Sequence, residues 1–159
     1  MTTTLLDRTE AAEYYYTYID QVPKDEDIRR IIEAQLAEAI PALRAIPEST
    51  SLHRYAPDKW SIREVIGHIN DTERMFVFRA LWFARSLGSE LPSFDQDVAM
   101  AAGRFDDRPL SDLVDEFRTI RESSVRFFRS PPADAWAKRG IASGKPFTVR
   151  ALAYITAGH

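Results

Sequence analysis

The chain has 159 residues, of which 45% are hydrophobic and 28% are charged. This is the length of one domain, with enough apolar material for a core and enough charge for solubility, so a disordered tail is excluded. We expect residues 1–159 to form a single domain. The 21 basic and 24 acidic residues give a net charge of −3, which argues against a nucleic-acid partner because such proteins usually carry a basic face.

The sequence also argues against membrane insertion and secretion. Arg79 and Arg85 interrupt the most hydrophobic stretch, so no apolar run reaches the roughly 18 residues of a membrane span. The N-terminus lacks the basic start and apolar segment of a signal peptide, and we therefore expect a cytoplasmic protein. The absence of cysteine excludes disulfides and thiolate sites, so a metal would need His, Asp or Glu ligands.

Two amphipathic helices are predicted in the first half of the chain. From Glu26 to Ile46 apolar residues recur at the spacing of one helix face, and Pro41 is expected to kink this first helix because proline lacks an N–H group. A second, longer helix begins at a capping box in which Ser61 and Glu64 satisfy each other's backbone N–H groups. It is predicted to end just before Gly88, a suitable terminator.

The second half of the chain predicts two more helices. The third starts at the cap Ser111 and is stopped by Pro131, and the fourth starts near Thr148 and still continues at His159. No convincing strand is present. These patterns predict an all-α fold, a four-helix bundle that buries the four apolar stripes against one another.

The connection between the second and third helices, Gly88 to Arg108, is long for a compact bundle. We expect it to contain a short helix around residues 94–102 and to act as a crossover or a lid. Its Phe94, Gln96 and Met100 are candidate pocket walls. The tyrosine-rich run from Tyr14 to Tyr18 is expected to pack against the bundle.

Two of the three histidines point into the predicted core. His53 lies in a polar loop and is expected to be solvated. His68 lies at the edge of the apolar stripe of the second helix, and His159 shares the buried face of the fourth. Metal sites in bundles are built from such facing side chains, although core histidines that are only hydrogen-bonded are more common.

Glu73 is the other candidate functional residue, because the helical periodicity places its carboxylate in the middle of the apolar stripe. It could support a metal-bound imidazole, bind a metal itself, accept a proton, or pair with a buried Arg or Tyr. Asp71 falls on the outer side of the same helix and is expected to be solvated.

A second apolar face on the same helix indicates a partner surface. Met75, Phe78 and Trp82 lie roughly opposite the main stripe. A homodimer seam would bury them. Alternatively, the segment from Tyr14 to Ile19 or the long connection covers this face.

The segment from Tyr55 to Ile69, with its Trp60 to Glu64 capping box and its Gly67-His68 pair, resembles the DinB-like (YfiT-type) four-helix metalloproteins. The closing segment, Thr148 to His159, shows the same resemblance, which covers nearly the whole chain. The resemblance implies a bundle, often dimeric, with a divalent metal on three histidines.

By this resemblance His68 is the first ligand and His159 the second. The third histidine is expected four residues after His159, on the same helical face and beyond the last residue of this sequence. We therefore expect the last helix to be incomplete here, because a helix that ends on its buried face leaves its carbonyls without partners.

The resemblance further implies a metal-dependent enzyme that acts on a small-molecule substrate, either a thiol-dependent S-transferase or a hydrolase, with Glu73 supporting the metal or accepting a proton. Zn²⁺ or Ni²⁺ is the expected metal, and a low-molecular-weight thiol is a candidate cosubstrate. Two alternatives remain open. One is a stress-related protein that binds a metal or ligand without turnover, and the other is a purely structural helical-bundle dimer.

Overall fold

The fold consists of six α-helices and one β-hairpin within residues 6–159, the part of the chain that the computed structural model describes. The helices are α1 (Tyr16–Ile19), α2 (Ile28–Arg44), α3 (Ile62–Ala84), α4 (Gln96–Gly103), α5 (Leu110–Arg129) and α6 (Val149–Gly158). The strands are β1 (Arg139–Ala142) and β2 (Lys145–Thr148). Residues 1–5, part of the stretch from which a signal peptide is argued against, lie outside the described residues.

The predicted four-helix bundle is confirmed, and it consists of α2, α3, α5 and α6. Helix α3 packs against α5 and α6, and α2 packs against the same two helices. Helices α2 and α3 therefore lie diagonally opposite each other in the bundle, although they follow one another in the sequence. The long connections 45–61 and 130–148 make this possible, because each carries the chain across the end of the bundle.

Local capping sets where the bundle helices begin and end. The capping box at Ser61 and Glu64 is present as predicted. Helix α3 nevertheless ends at Ala84, before the predicted terminator Gly88, because Ser86 adopts the left-handed conformation with φ 56°. The predicted Ser111 cap is also wrong, because α5 begins at Leu110 and its N-cap residue is Pro109.

The start of α5 is capped from another part of the chain. The carboxylate of Glu48 accepts the backbone N–H of Leu110 at 3.0 and 3.1 Å. Because this partner lies 62 residues away, residue patterns around the helix start do not reveal it. At α6 the predicted start is confirmed, and the Thr148 hydroxyl accepts the N–H of Ala151 at 3.0 Å.

The hairpin is the element that the sequence analysis missed. Strands β1 and β2 pair in antiparallel register from Arg139 opposite Thr148 to Ala142 opposite Lys145. The turn residues Ser143 and Gly144 both have positive φ, 55° and 67°, which is the conformation of a tight type I′ hairpin turn. Four-residue strands carry too little alternation to stand out in a helical sequence.

The tyrosine-rich segment packs on the bundle, as predicted, and the long connection packs there too. Tyr16 is buried, and its hydroxyl donates to the backbone carbonyl of Asp7 at 2.5 Å. The predicted short helix in the connection is α4. Leu91, in the same connection, bridges to Ala142 of the hairpin. In the described chain no helix is both long and apolar enough to cross a membrane.

Gly67 allows a close contact between α3 and the aromatic ring of Phe105. A Cβ atom at residue 67 would lie 2.2 Å from the nearest ring carbon. An interior Gly→Ala change normally stabilises a helix by up to about 1 kcal/mol. Here we expect Gly67→Ala to lower the free energy of unfolding by about 1–3 kcal/mol, because the ring must move. Urea unfolding measures the change.

Gly88→Ala is the matched control, because its Cβ would meet no atom within 4 Å. We expect it to leave the stability unchanged or slightly raised. Equal effects of the two substitutions would contradict the close packing of Phe105 on α3.

Candidate metal centre

His68 of α3 and His159 after α6 meet across the seam between these two helices. Their ring centroids are 5.2 Å apart with an interplanar angle of 50°. Both side chains are partly buried. Two imidazoles that are 91 positions apart in the sequence thus face one another at a single point of the fold.

Aromatic side chains enclose the two histidines. The Trp60 ring lies 4.8 Å from that of His68, and the rings of Tyr18 and Phe76 lie 5.0 and 5.6 Å from that of His159. Burial lowers the pKa of His68, and burial together with the neighbouring His68 lowers the pKa of His159 to about 4. Both rings are therefore neutral at pH 7, the state in which imidazole binds metals.

Thr72 orients the His159 ring. Its hydroxyl donates to the backbone carbonyl of His68 at 2.7 Å, so its oxygen is left as the acceptor towards Nδ1 of His159 at 3.5 Å. This arrangement favours the tautomer with a proton on Nδ1. The lone pair of His159 is then on Nε2, where it can bind a metal.

The histidines open into a cleft with a volume of about 80 Å³. One wall is the face of α3 that carries His68, and the others come from the tyrosine-rich segment, the long connection and the hairpin turn. The lining residues are Tyr14, Tyr15, Tyr18, His68, Thr72, Met75, Phe76, Arg79, Phe94, Gln96, Ser143 and His159. Phe94 and Gln96 are thus pocket walls as predicted, whereas Met100 of α4 is buried in a hydrophobic cluster with Ile66, Phe105 and Leu113.

Glu73 is buried and paired with Arg121 of α5. The arginine Nε lies 2.9 and 3.0 Å from the two carboxylate oxygens. Among the roles left open by the sequence, pairing with a buried arginine is the contact present in the structure. Within the described residues, Arg121 is the hydrogen-bond partner of this carboxylate. A role of Glu73 in supporting a metal or accepting a proton stays a prediction.

The same ion pair joins all four helices of the bundle. Arg121 also donates to Gln35 of α2 at 2.8 Å and approaches the carbonyl of Thr156 in α6 at 3.5 Å. Gln35 in turn donates to the carbonyl of Ala157 at 2.8 Å. These contacts satisfy carbonyls in the last turn of α6, directly before His159.

The remaining candidates lie outside the cleft. His53 is exposed in its loop, in agreement with the expectation that it is solvated. Asp71, which was expected to be solvated, is half-buried, with Arg74 at 3.7 Å. Within residues 6–159 no group of three or more His, Cys, Asp or Glu side chains is placed to hold a metal. The two facing imidazoles are donors that a divalent metal accepts, but they are one fewer than the three protein ligands of a catalytic zinc site.

The sequence analysis missed Arg79 as a residue of this cleft. It follows His68 by eleven positions, which is three helical turns and about 20° of rotation, so the two side chains share one face of α3. This spacing alone could have identified Arg79 as a neighbour of His68 on the same helix face.

Comparison with known proteins identifies relatives of this fold. The model of the DinB superfamily matches residues 31–159. The mycothiol-dependent maleylpyruvate isomerase superposes with a TM-score of 0.69 and 11% identity over 87% of this chain and 58% of the isomerase chain. The chain thus spans less than two thirds of that enzyme.

YfiT from Bacillus subtilis, described as a probable metal-dependent hydrolase with an unusual four-helix bundle topology, superposes with a TM-score of 0.67. The identity is 12%, over 98% of this chain and 85% of YfiT. No curated protein sequence matches the chain. At these identities the two solved structures show the shared fold alone.

We predict that Glu73→Gln lowers the free energy of unfolding by about 3–5 kcal/mol, because it leaves the buried Arg121 charge uncompensated. The double variant Glu73→Leu/Arg121→Met removes both charges and is expected to regain most of that loss. Chemical denaturation of the single and double variants measures both effects.

Asp115→Asn is the matched control for this pair. Asp115 pairs with Arg44 at 2.8 Å, but both side chains are more than half exposed, so the expected change is at most about 1 kcal/mol. A double variant no more stable than Glu73→Gln would contradict the charge argument.

Proposed function

The chain belongs to the DinB superfamily, and from this membership and its paired histidines we propose that it is a divalent-metal-dependent enzyme acting on a small molecule. The observation that carries the proposal is the 5.2 Å approach of the His68 and His159 rings beside a cleft. In this proposal both histidines are metal ligands, and Zn²⁺ or Ni²⁺ is the metal, since imidazole suits both.

The bound metal would supply a Lewis acid that lowers the pKa of a coordinated water or thiol. The protein's own residues prepare the cleft for that chemistry. The Thr72 hydroxyl favours the His159 tautomer with a free Nε2, while the rings of Trp60, Tyr18 and Phe76 pack against the two imidazoles.

The reaction class that we propose is either thiol-dependent group transfer, with a low-molecular-weight thiol as cosubstrate, or hydrolysis. The two structural neighbours support these classes, since one is a mycothiol-dependent isomerase and the other a probable metal-dependent hydrolase. The long connection contributes Phe94 and Gln96 to the cleft, where they would contact the substrate.

Metal titration tests the proposed site. We expect the metal-free chain to bind Zn²⁺ or Ni²⁺ at about one ion per chain in competition with a coloured chelator. His68→Ala and His159→Ala are each expected to weaken binding by at least about tenfold, because each removes a ligand. His53→Ala is the matched control and is expected to bind like the wild type, since its side chain is exposed and outside the cleft.

Equal metal affinity of His68→Ala and wild type would contradict the site and favour a bundle with two core histidines of purely structural role. A second assay separates an enzyme from a binding protein. The metal-loaded chain is given a small thiol and an electrophile, and the rate of conjugation is compared with that of His68→Ala. A thiol that binds the metal while no electrophile is consumed supports the stress-related binding protein.

We also propose a homodimer through the outer face of α3. The Phe78 side chain is 48% exposed and lies 5.6 Å, centroid to centroid, from the Trp82 ring. The long connection covers this face only in part, through a hydrogen bond from Trp82 Nε1 to the carbonyl of Ser89 at 3.0 Å. A second copy would remove the remaining apolar surface from water.

Light scattering tests the dimer. We expect twice the chain mass of 18.2 kDa for the wild type and the single-chain mass for Phe78→Lys, because a buried lysine without a partner opposes association. Val98→Lys is the control, since Val98 is 65% exposed on α4. A single-chain mass for the wild type would contradict the proposal.

A further inference from the structure

Arg79 is a buried arginine on the cleft-lining face of α3. The residue is only 2% exposed, yet it forms part of the wall of the cleft that holds His68 and His159. Side chains on a helix lean towards its N-terminus, so Arg79 extends along the cleft in the direction of His68.

The contacts of the Arg79 guanidinium are all with neutral groups. Its Nη2 donates to the carbonyl of Pro92 and to Oγ of Ser143, both at 3.1 Å. The guanidinium also interacts with the hydroxyl of Tyr15 and lies 6.0 Å from the centroid of the Phe147 ring. Among residues 6–159 no carboxylate forms an ion pair with it.

Arg121, another buried arginine of the bundle, shows which kind of partner Arg79 lacks. Arg121 has a carboxylate partner in Glu73 at 2.9 Å. A buried charge without such a partner opposes folding, and the pKa of Arg79 is accordingly lowered by burial. A buried arginine that lines a cleft and contacts only neutral groups is suited to bind an anionic ligand.

The hairpin turn lies against Arg79 at one end of the cleft. Ser143, whose hydroxyl accepts from Arg79, has the positive φ that the type I′ turn requires. The turn thereby brings this hydroxyl against the guanidinium.

We propose that Arg79 binds a carboxylate group of the substrate, so that the substrate is a small organic acid whose reacting bond lies towards His68 and His159. The inference rests on the proposed function, because it takes the histidine cleft as the substrate site. A carboxylate fits for two reasons. It matches the planar guanidinium in geometry and charge, and it is small enough for a cleft of about 80 Å³.

The Cα atoms of His68 and Arg79 are about 16 Å apart along the axis of α3, since they are separated by eleven residues with a rise of 1.5 Å each. The long Arg79 side chain, which leans towards the N-terminus of α3, shortens this gap. The substrate would therefore be held by its acid group at one end of the cleft while its other end approaches the histidines. Arg79 thus selects substrates by charge and sets their orientation.

Arginine Nε–H resonances in a proton–nitrogen NMR spectrum of the metal-free protein test this assignment. Sodium acetate is added to about 0.1 M at constant ionic strength, well above the millimolar dissociation constant expected of so small a ligand. We expect a saturable shift of the Arg79 resonance. Acetamide, the neutral isostere, is expected to cause no shift, and the ion-paired Arg121 resonance should stay in place.

Thermal unfolding provides a second measurement. Acetate is expected to raise the melting temperature of the wild type by about 5–10 °C, because it binds only the folded state and is present at about a hundred times its dissociation constant. Arg79→Met should lose this response. Arg74→Met is the matched control on the same helix, half-exposed and paired with Glu116, and it should retain the response. If Arg79→Met does not fold, the wild-type NMR titration decides alone.

An Arg79 resonance that acetate does not move, or that chloride or acetamide moves equally, would overturn the inference. So would a shift with inorganic phosphate and none with acetate, since it would assign a phosphate site. The metal titration is independent of this test. Acetate binding without metal binding would overturn the proposed function alone, and metal binding without acetate binding would overturn the Arg79 assignment alone.

Discussion

The ion pair between Glu73 and Arg121 is the interaction on which the rest of the structure depends. It links α3 to α5 directly, and through Gln35 and the carbonyl of Thr156 it reaches α2 and α6. Because a buried guanidinium is costly unless its N–H groups are hydrogen-bonded, Arg121 needs acceptors from the surrounding helices. This requirement limits how the helices can be arranged. The last turn of α6, and with it His159, is positioned by this network.

One face of α3 then organises the candidate site. His68, Thr72 and Arg79 lie within about 40° of one another around the helix axis. They contribute an imidazole, a hydroxyl and a guanidinium to this face. The facing groups come from distant parts of the chain, namely His159 after α6 and Ser143 in the hairpin turn. A rigid helix thus carries the polar groups, while connecting segments form the remaining walls.

Much of this arrangement could be predicted from the sequence. Apolar periodicity predicts the bundle helices, and the capping box at Ser61 places the start of α3 correctly. Periodicity also places His68 and His159 on inward faces and identifies Glu73 as a buried charge. It predicts no partner for Glu73, because Arg121 is 48 residues away and a helical pattern says nothing about which helix lies opposite.

The sequence by itself determined the bundle helices, their inner faces and the inward position of the two imidazoles, because these follow from local spacing. Only the tertiary structure decided the diagonal placement of α2 and α3, the pairing of Glu73, the meeting of His68 with His159, and the contacts of Arg79 with Pro92 and Ser143. These features depend on contacts between residues far apart in the chain. Such contacts arise when buried polar groups must find partners, and no local pattern encodes which ones they find.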